Sequence, residues 1–104
     1  MPGVVGHVAV SGADSVPVQF TVIGVELVRG AGRLIGLAVV ELDVAGVVLT
    51  LQGVQVLRRP DGTAECRAPV WRHPASGRHV PAVVLPDELR DALAAEVLGM
   101  LAPA

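Results

Sequence analysis

Cys66, His73, His79 and Glu65 are the residues of this chain that could do catalytic or metal chemistry, and His7 lies far from them in sequence. A nucleophilic thiol needs an adjacent base and a third group to orient that base. Cys66 instead alternates with Ala64 and Ala68, which places it on a small apolar face where a thiol is structural. His73 and His79 are separated by a loop holding Pro74, Ser76 and Gly77, with no Cys-x-x-Cys or His-Glu-x-x-His spacing beside them. No phosphate loop, dinucleotide fingerprint or nucleophile elbow is present, and Gly30 and Gly32 make only a turn. The expectation is a protein that is not an enzyme and holds no metal or cofactor.

Trp71-Arg72-His73-Pro74 is the cluster with the most chemical content. An indole, a guanidinium and an imidazole on one loop can stack on bases and bind phosphate. The bland alternative is a tryptophan closing the edge of the core between solvated neighbours. Charge is unevenly spread around this cluster. Seven of the eight arginines fall in residues 29–78 against four carboxylates, a net charge of +3, whereas residues 79–104 carry −3 and the whole chain −2. All the basic residues are arginine.

The elements that position these groups are legible in the hydrophobic pattern. Thr21–Arg29 alternates as a strand through Ile23, Val25 and Leu27, and Gly30-Ala31-Gly32 turns it. Leu34–Leu42 is apolar on both faces, with Leu34, Ala38, Val40 and Leu42 pointing one way and Ile35, Leu37 and Val39 the other. After the turn Asp43-Val44-Ala45-Gly46, the apolar positions change phase from Val47, Leu49 and Leu51 to Val54 and Val56. Gly53 sits at the change, which predicts a β-bulge there. Arg59-Pro60-Asp61-Gly62 is a turn, and Pro69 confines the next strand to an edge. A helix is expected to open near Pro86, with Asp87 and Glu88 at its positive end and Leu89, Leu93, Val97 and Met100/Leu101 as its apolar stripe. Residues 1–20 read as an N-terminal arm or edge strand and 21–104 as the domain proper. The fold class is α+β, an antiparallel β-meander of four to five strands with a C-terminal helix.

A chain of 104 residues, 52% hydrophobic with only two aromatic residues and 21 valines, suits one domain with a sheet-based core. This composition excludes intrinsic disorder. No uninterrupted apolar run reaches membrane-spanning length. The N-terminus lacks the basic start of a secretory signal, and a single cysteine precludes an intrachain disulfide, so the expected compartment is the cytoplasm.

From Val22 to about Leu98 the chain resembles the bacterial stage V sporulation protein G family, SpoVG, also called septation regulators. Four segments carry the resemblance: VIGVELVRGAGRLIGLAVVELD (22–43), VVLTLQGVQVLRRPDG (47–62), APVWRHPASG (68–77) and LPDELRDALAAEVL (85–98). In the third, Pro69, Arg72, Pro74 and Gly77 match the family's Pro- and Gly-containing basic loop. Trp71 stands where the family has Lys, a further family Arg falls on His79 or Val80, and the family's lysine-rich surface is missing. Residues 1–20 have no counterpart.

What the resemblance implies is a small dimeric protein of β-meander and helix that binds DNA, and in some cases RNA, and regulates gene expression, sporulation or septation. On that reading Trp71, Arg72, His73 and Arg78, joined by Arg58 and Arg59, make the nucleic-acid contact. The alternative is a structural or protein-interaction module with the same fold that has lost nucleic-acid binding. A homodimer is expected on physical grounds too. One helix covers one face of the sheet, which leaves Ile35, Leu37 and Val39 as an apolar surface for a partner copy.

Overall fold

The computed structural model of the protein describes residues 4–10 and 16–101. Strands β1 (Val4–Val10), β2 (Val16–Ala31), β3 (Leu34–Val44), β4 (Val47–Arg58) and β5 (Ala64–Arg67) form one antiparallel sheet in the order of the chain. A separate ribbon of β6 (Val70–Arg72) and β7 (His79–Pro81) follows, then the helix α1 (Asp87–Leu101). This is the α+β meander with a closing helix that the alternation of the sequence predicts. Val4–Val10 is an edge strand, and β2 begins at Val16, so residues 16–20 belong to the sheet rather than to an arm.

The turns follow from their residues. Ala45 and Gly46 both have positive φ, 52° and 88°, which closes β3 onto β4 in two residues, and the Gly46 N–H donates to Asp43 Oδ1 at 2.9 Å. At the β4–β5 turn the Thr63 hydroxyl and amide both donate to Asp61 Oδ1, at 2.6 and 2.9 Å. The hydroxyl first, and then the amide, hold the Asp61 carboxyl below its ordinary range.

The core lies on one face of the sheet. Val18, Phe20, Val22, Ala38, Val40, Leu42, Val54, Val56 and Cys66 meet Leu89, Leu93, Ala94 and Val97 of the helix. Leu101 packs at the helix end, while Met100 stays partly exposed. The helix lies against β1 and β5, the two edges of the sheet. A sheet whose opposite edges both reach one helix must curl around it. The β-bulges supply that curl.

Gly53 is one of them. Ala38 pairs with Val54 and Val39 with Gln52, leaving Gly53 unpaired at φ 83°, so Leu51 and Val54 both turn toward the core. This is the predicted site of the phase change. A second bulge corrects the sequence reading of β3. Leu34 pairs with Leu57 and Gly36 with Val56, so Ile35 is the extra residue. A bulge breaks the two-residue period, and Ile35 packs against the core instead of sharing a face with Leu37 and Val39. It therefore leaves the expected dimer surface. Leu37 and Val39 do lie on the outer face, but there they are already half-buried within one chain.

Candidate nucleic-acid interface

From Cys66 to Pro86 the chain contains no carboxylate, while it carries Arg67, Arg72, Arg78, His73 and His79. The chain builds most of this stretch into the β6–β7 ribbon. Val70 pairs with Pro81, Trp71 with Val80 and Arg72 with His79. The base is fixed by the Ala82 N–H donating to the Pro69 carbonyl at 2.8 Å and by the Gln55 side-chain amide donating to the Ala68 carbonyl at 3.1 Å. Ala68 and Leu85 are buried at the root. Beyond the root the two strands pack on each other and make no extensive contact with the five-stranded sheet or the helix.

The tip is a tight loop. The His73 N–H donates to the Arg78 carbonyl and the Gly77 N–H to the His73 carbonyl, both at 2.8 Å. Gly77 takes φ 72°, where a Cβ is disfavoured. His73 Nδ1 accepts from the Ala75 N–H at 3.2 Å, so in the neutral ring the proton sits on Nε2. The Arg72 guanidinium folds back beside Gly77, its Nη2 lying 3.5 Å from where a Cβ there would stand.

Strand alternation sorts the side chains onto two faces. Trp71 and His73 share one, with ring centroids 5.4 Å apart and planes tilted by 37°, and Val80 lies opposite Trp71. Arg72, His79, Val70 and Pro81 occupy the other. The indole and the Arg72 guanidinium, adjacent in sequence, thus serve opposite sides of the ribbon. Trp71, Arg72 and Arg78 are all exposed, Trp71 at 44%. On the Arg72 face an open cleft of about 650 Å³ separates ribbon from body, with Arg67, His79 and Arg90 among its walls and, among the described residues, no carboxylate.

Arg58 and Arg59 do not join this cluster. They sit at the turn that begins β5, whereas the ribbon follows its far end. There they neighbour Arg33, whose Nε donates to the Arg58 carbonyl at 3.2 Å. Glu65 bridges Arg33 and Arg67, at 3.3 Å to each, on an exposed surface. The six expected contact residues therefore fall into two groups, a ribbon group of Trp71, Arg72, His73 and Arg78 and a turn group of Arg58 and Arg59. Reading the sequence misses Arg33 and the acid-free run 66–86, although a count of carboxylates along the chain reveals the second.

Cys66 is 1% exposed and pairs with Val56 in the core. Burial, and secondarily the nearby Glu65 charge, push its thiol up to about 11. A thiol in that state is not a nucleophile at neutral pH. Among the described residues no three His, Cys, Asp or Glu side chains gather in a metal-binding group. No helix among them is long and apolar enough to cross a membrane.

No family model matches the chain, and no curated protein or solved structure is detectably similar to it.

Proposed function

We propose that the chain is a homodimeric nucleic-acid-binding regulatory protein, of the kind that acts in gene expression, sporulation or septation, and that its β6–β7 ribbon meets the nucleic acid. The observation that carries this reading is a stand-off ribbon with an aromatic face, a guanidinium face and no carboxylate from residue 66 to 86. A two-stranded ribbon is narrow enough for the major groove. On a single strand, Trp71 offers a stacking face and Arg72 and Arg78 reach phosphates. With a net charge of −2, affinity must come from this local basic surface and not from the whole-molecule field. Arg58, Arg59 and Arg33 form a separate basic end that a long ligand can reach only as a second contact.

One observation favours the alternative, a protein-interaction module. Val70, Trp71 and Val84 are exposed apolar side chains on the ribbon and its root. The two readings differ in their response to salt, because phosphate contacts release counterions and apolar contacts do not. Anisotropy titrations of labelled duplex DNA, single-stranded DNA and RNA at low salt decide between them. Binding that weakens steeply with added salt is expected. Absence of binding to all three rejects the regulator and leaves the interaction module.

A further inference from the structure

β4 is much longer than the strand that covers it. It runs Val47–Arg58, but β5 pairs only with Gln55–Arg58. Between Val47 and Val54 it has β3 on one side and, among the described residues, no strand on the other. The side chains there are open: Val47 is 60% exposed, Val48 55% and Leu49 48%. Natural sheets blunt such edges with lysine, proline or inward charges, since the free N–H and C=O row templates pairing with another chain. This strand does none of that, for no charged residue or proline lies between Asp43 and Arg58.

We propose that this edge is the dimer contact. The β4 strands of two copies pair antiparallel about a two-fold axis at Thr50, joining two five-stranded sheets into one continuous sheet. The inference rests on the dimeric reading above and moves the contact from Leu37 and Val39 to the free edge of β4. A second copy is the fitting occupant because the strand has no charge with which to select a foreign partner, yet its sequence complements itself. Directly opposed antiparallel residues share a face, so the axis must fall on a residue. The turn at Ala45–Gly46 and the bulge at Gly53 bound the regular run. Centring on Thr50 pairs Val48–Gln52, five of the six residues between the turn and the bulge, and leaves Val47 opposite Gly53. Leu49 of each copy then faces Leu51 of the other on the core side, where neighbouring Leu42 and Val40 already pack. Val48 faces Gln52 on the outer side.

The register makes a chemical test possible. Two Thr50→Cys residues would stand directly opposite each other, within disulfide reach, and the native Cys66 is buried and does not compete. Thr50→Cys is expected to convert to a covalent dimer under mild oxidation by diamide several-fold faster than Val84→Cys, whose position is 88% exposed. Light scattering at tens of micromolar should give a dimer mass for the wild type and for Leu37→Glu, and half that mass for Leu49→Lys with an unchanged circular dichroism spectrum. If Val48→Lys and Leu49→Lys keep the dimer mass, or Thr50→Cys cross-links no faster than Val84→Cys, the edge proposal is overturned. Should Leu37→Glu alone dissociate the dimer, the two-fold reading survives on the outer face without the edge. A wild-type monomer removes both, and the nucleic-acid titration still judges the ribbon.

Discussion

Cys66 and Trp71 are the two residues that report on this molecule most cleanly. The chain has no lysine and no tyrosine, so the Cys66 thiol is the only side chain set to titrate between pH 9 and 11. Its folded value of about 11 lies above its ordinary one. Across that window the folded chain keeps a proton that the unfolded chain has lost. Stability is therefore full below pH 9 and falls as pH rises, by as much as about 1.4 kcal/mol per pH unit. Urea unfolding of the wild type should show this decline, and Cys66→Ala should remove it; parallel profiles would contradict the assignment. The burial of Cys66 was legible because Ala64, Cys66 and Ala68 alternate over a full strand. The opposite facing of Trp71 and Arg72 was not, because three-residue strands are too short to display a period. Trp71 is the sole tryptophan, so its emission follows the ribbon alone. A shift on adding single-stranded nucleic acid is expected, and Trp71→Phe should keep part of the affinity that Trp71→Ala loses, since a phenyl ring still stacks.

At the scale of elements, the turns and bulges decide where each strand's side chains point. Ala45 occupies a left-handed position with φ 52° that the β3–β4 turn requires. The conformation costs an L-residue about 1–2 kcal/mol, so Ala45→Gly or Ala45→Asn should raise the urea midpoint, and a lowered midpoint would show that the turn is not of this type. Gly6 fits another constraint. It lies opposite Phe20 across β1 and β2, and a Cβ on it would stand 2.1 Å from the phenyl ring. Gly6→Ala should therefore destabilise the fold by roughly 1–3 kcal/mol through overpacking, measurable in the same unfolding experiment. The Gly53 bulge was readable because alternating apolar and polar residues shift phase there. The Ile35 bulge was silent, since β3 is apolar on both faces and a slip leaves no mark in the pattern. The shortness of β5 follows from Pro69, yet its consequence, a bare β4 edge, depends on a sheet order that periodicity does not encode.

The whole molecule joins a curled sheet closed by one helix to a ribbon that stands away from it. The meander and the helix were legible in valine-rich alternation and in the Leu89, Leu93, Val97 stripe. The stand-off of the ribbon was not, because it reflects missing packing rather than any residue type. The division of arginines between ribbon and turn likewise depends on β5 lying between them. The proposed hold on nucleic acid through Arg72 of the ribbon is tested by the dependence of duplex binding on salt, measured by anisotropy for the wild type, Arg72→Ala and Arg58→Ala. On a plot of log affinity against log salt, each neutralised phosphate contributes a slope of about −0.9. Arg72→Ala should weaken binding across all sequences and flatten the slope by roughly one unit for each phosphate it no longer neutralises, while Arg58→Ala, at the distant turn, changes it less. A steep slope left unchanged by Arg72→Ala, or flattened more by Arg58→Ala, would contradict the placement of the site on the ribbon.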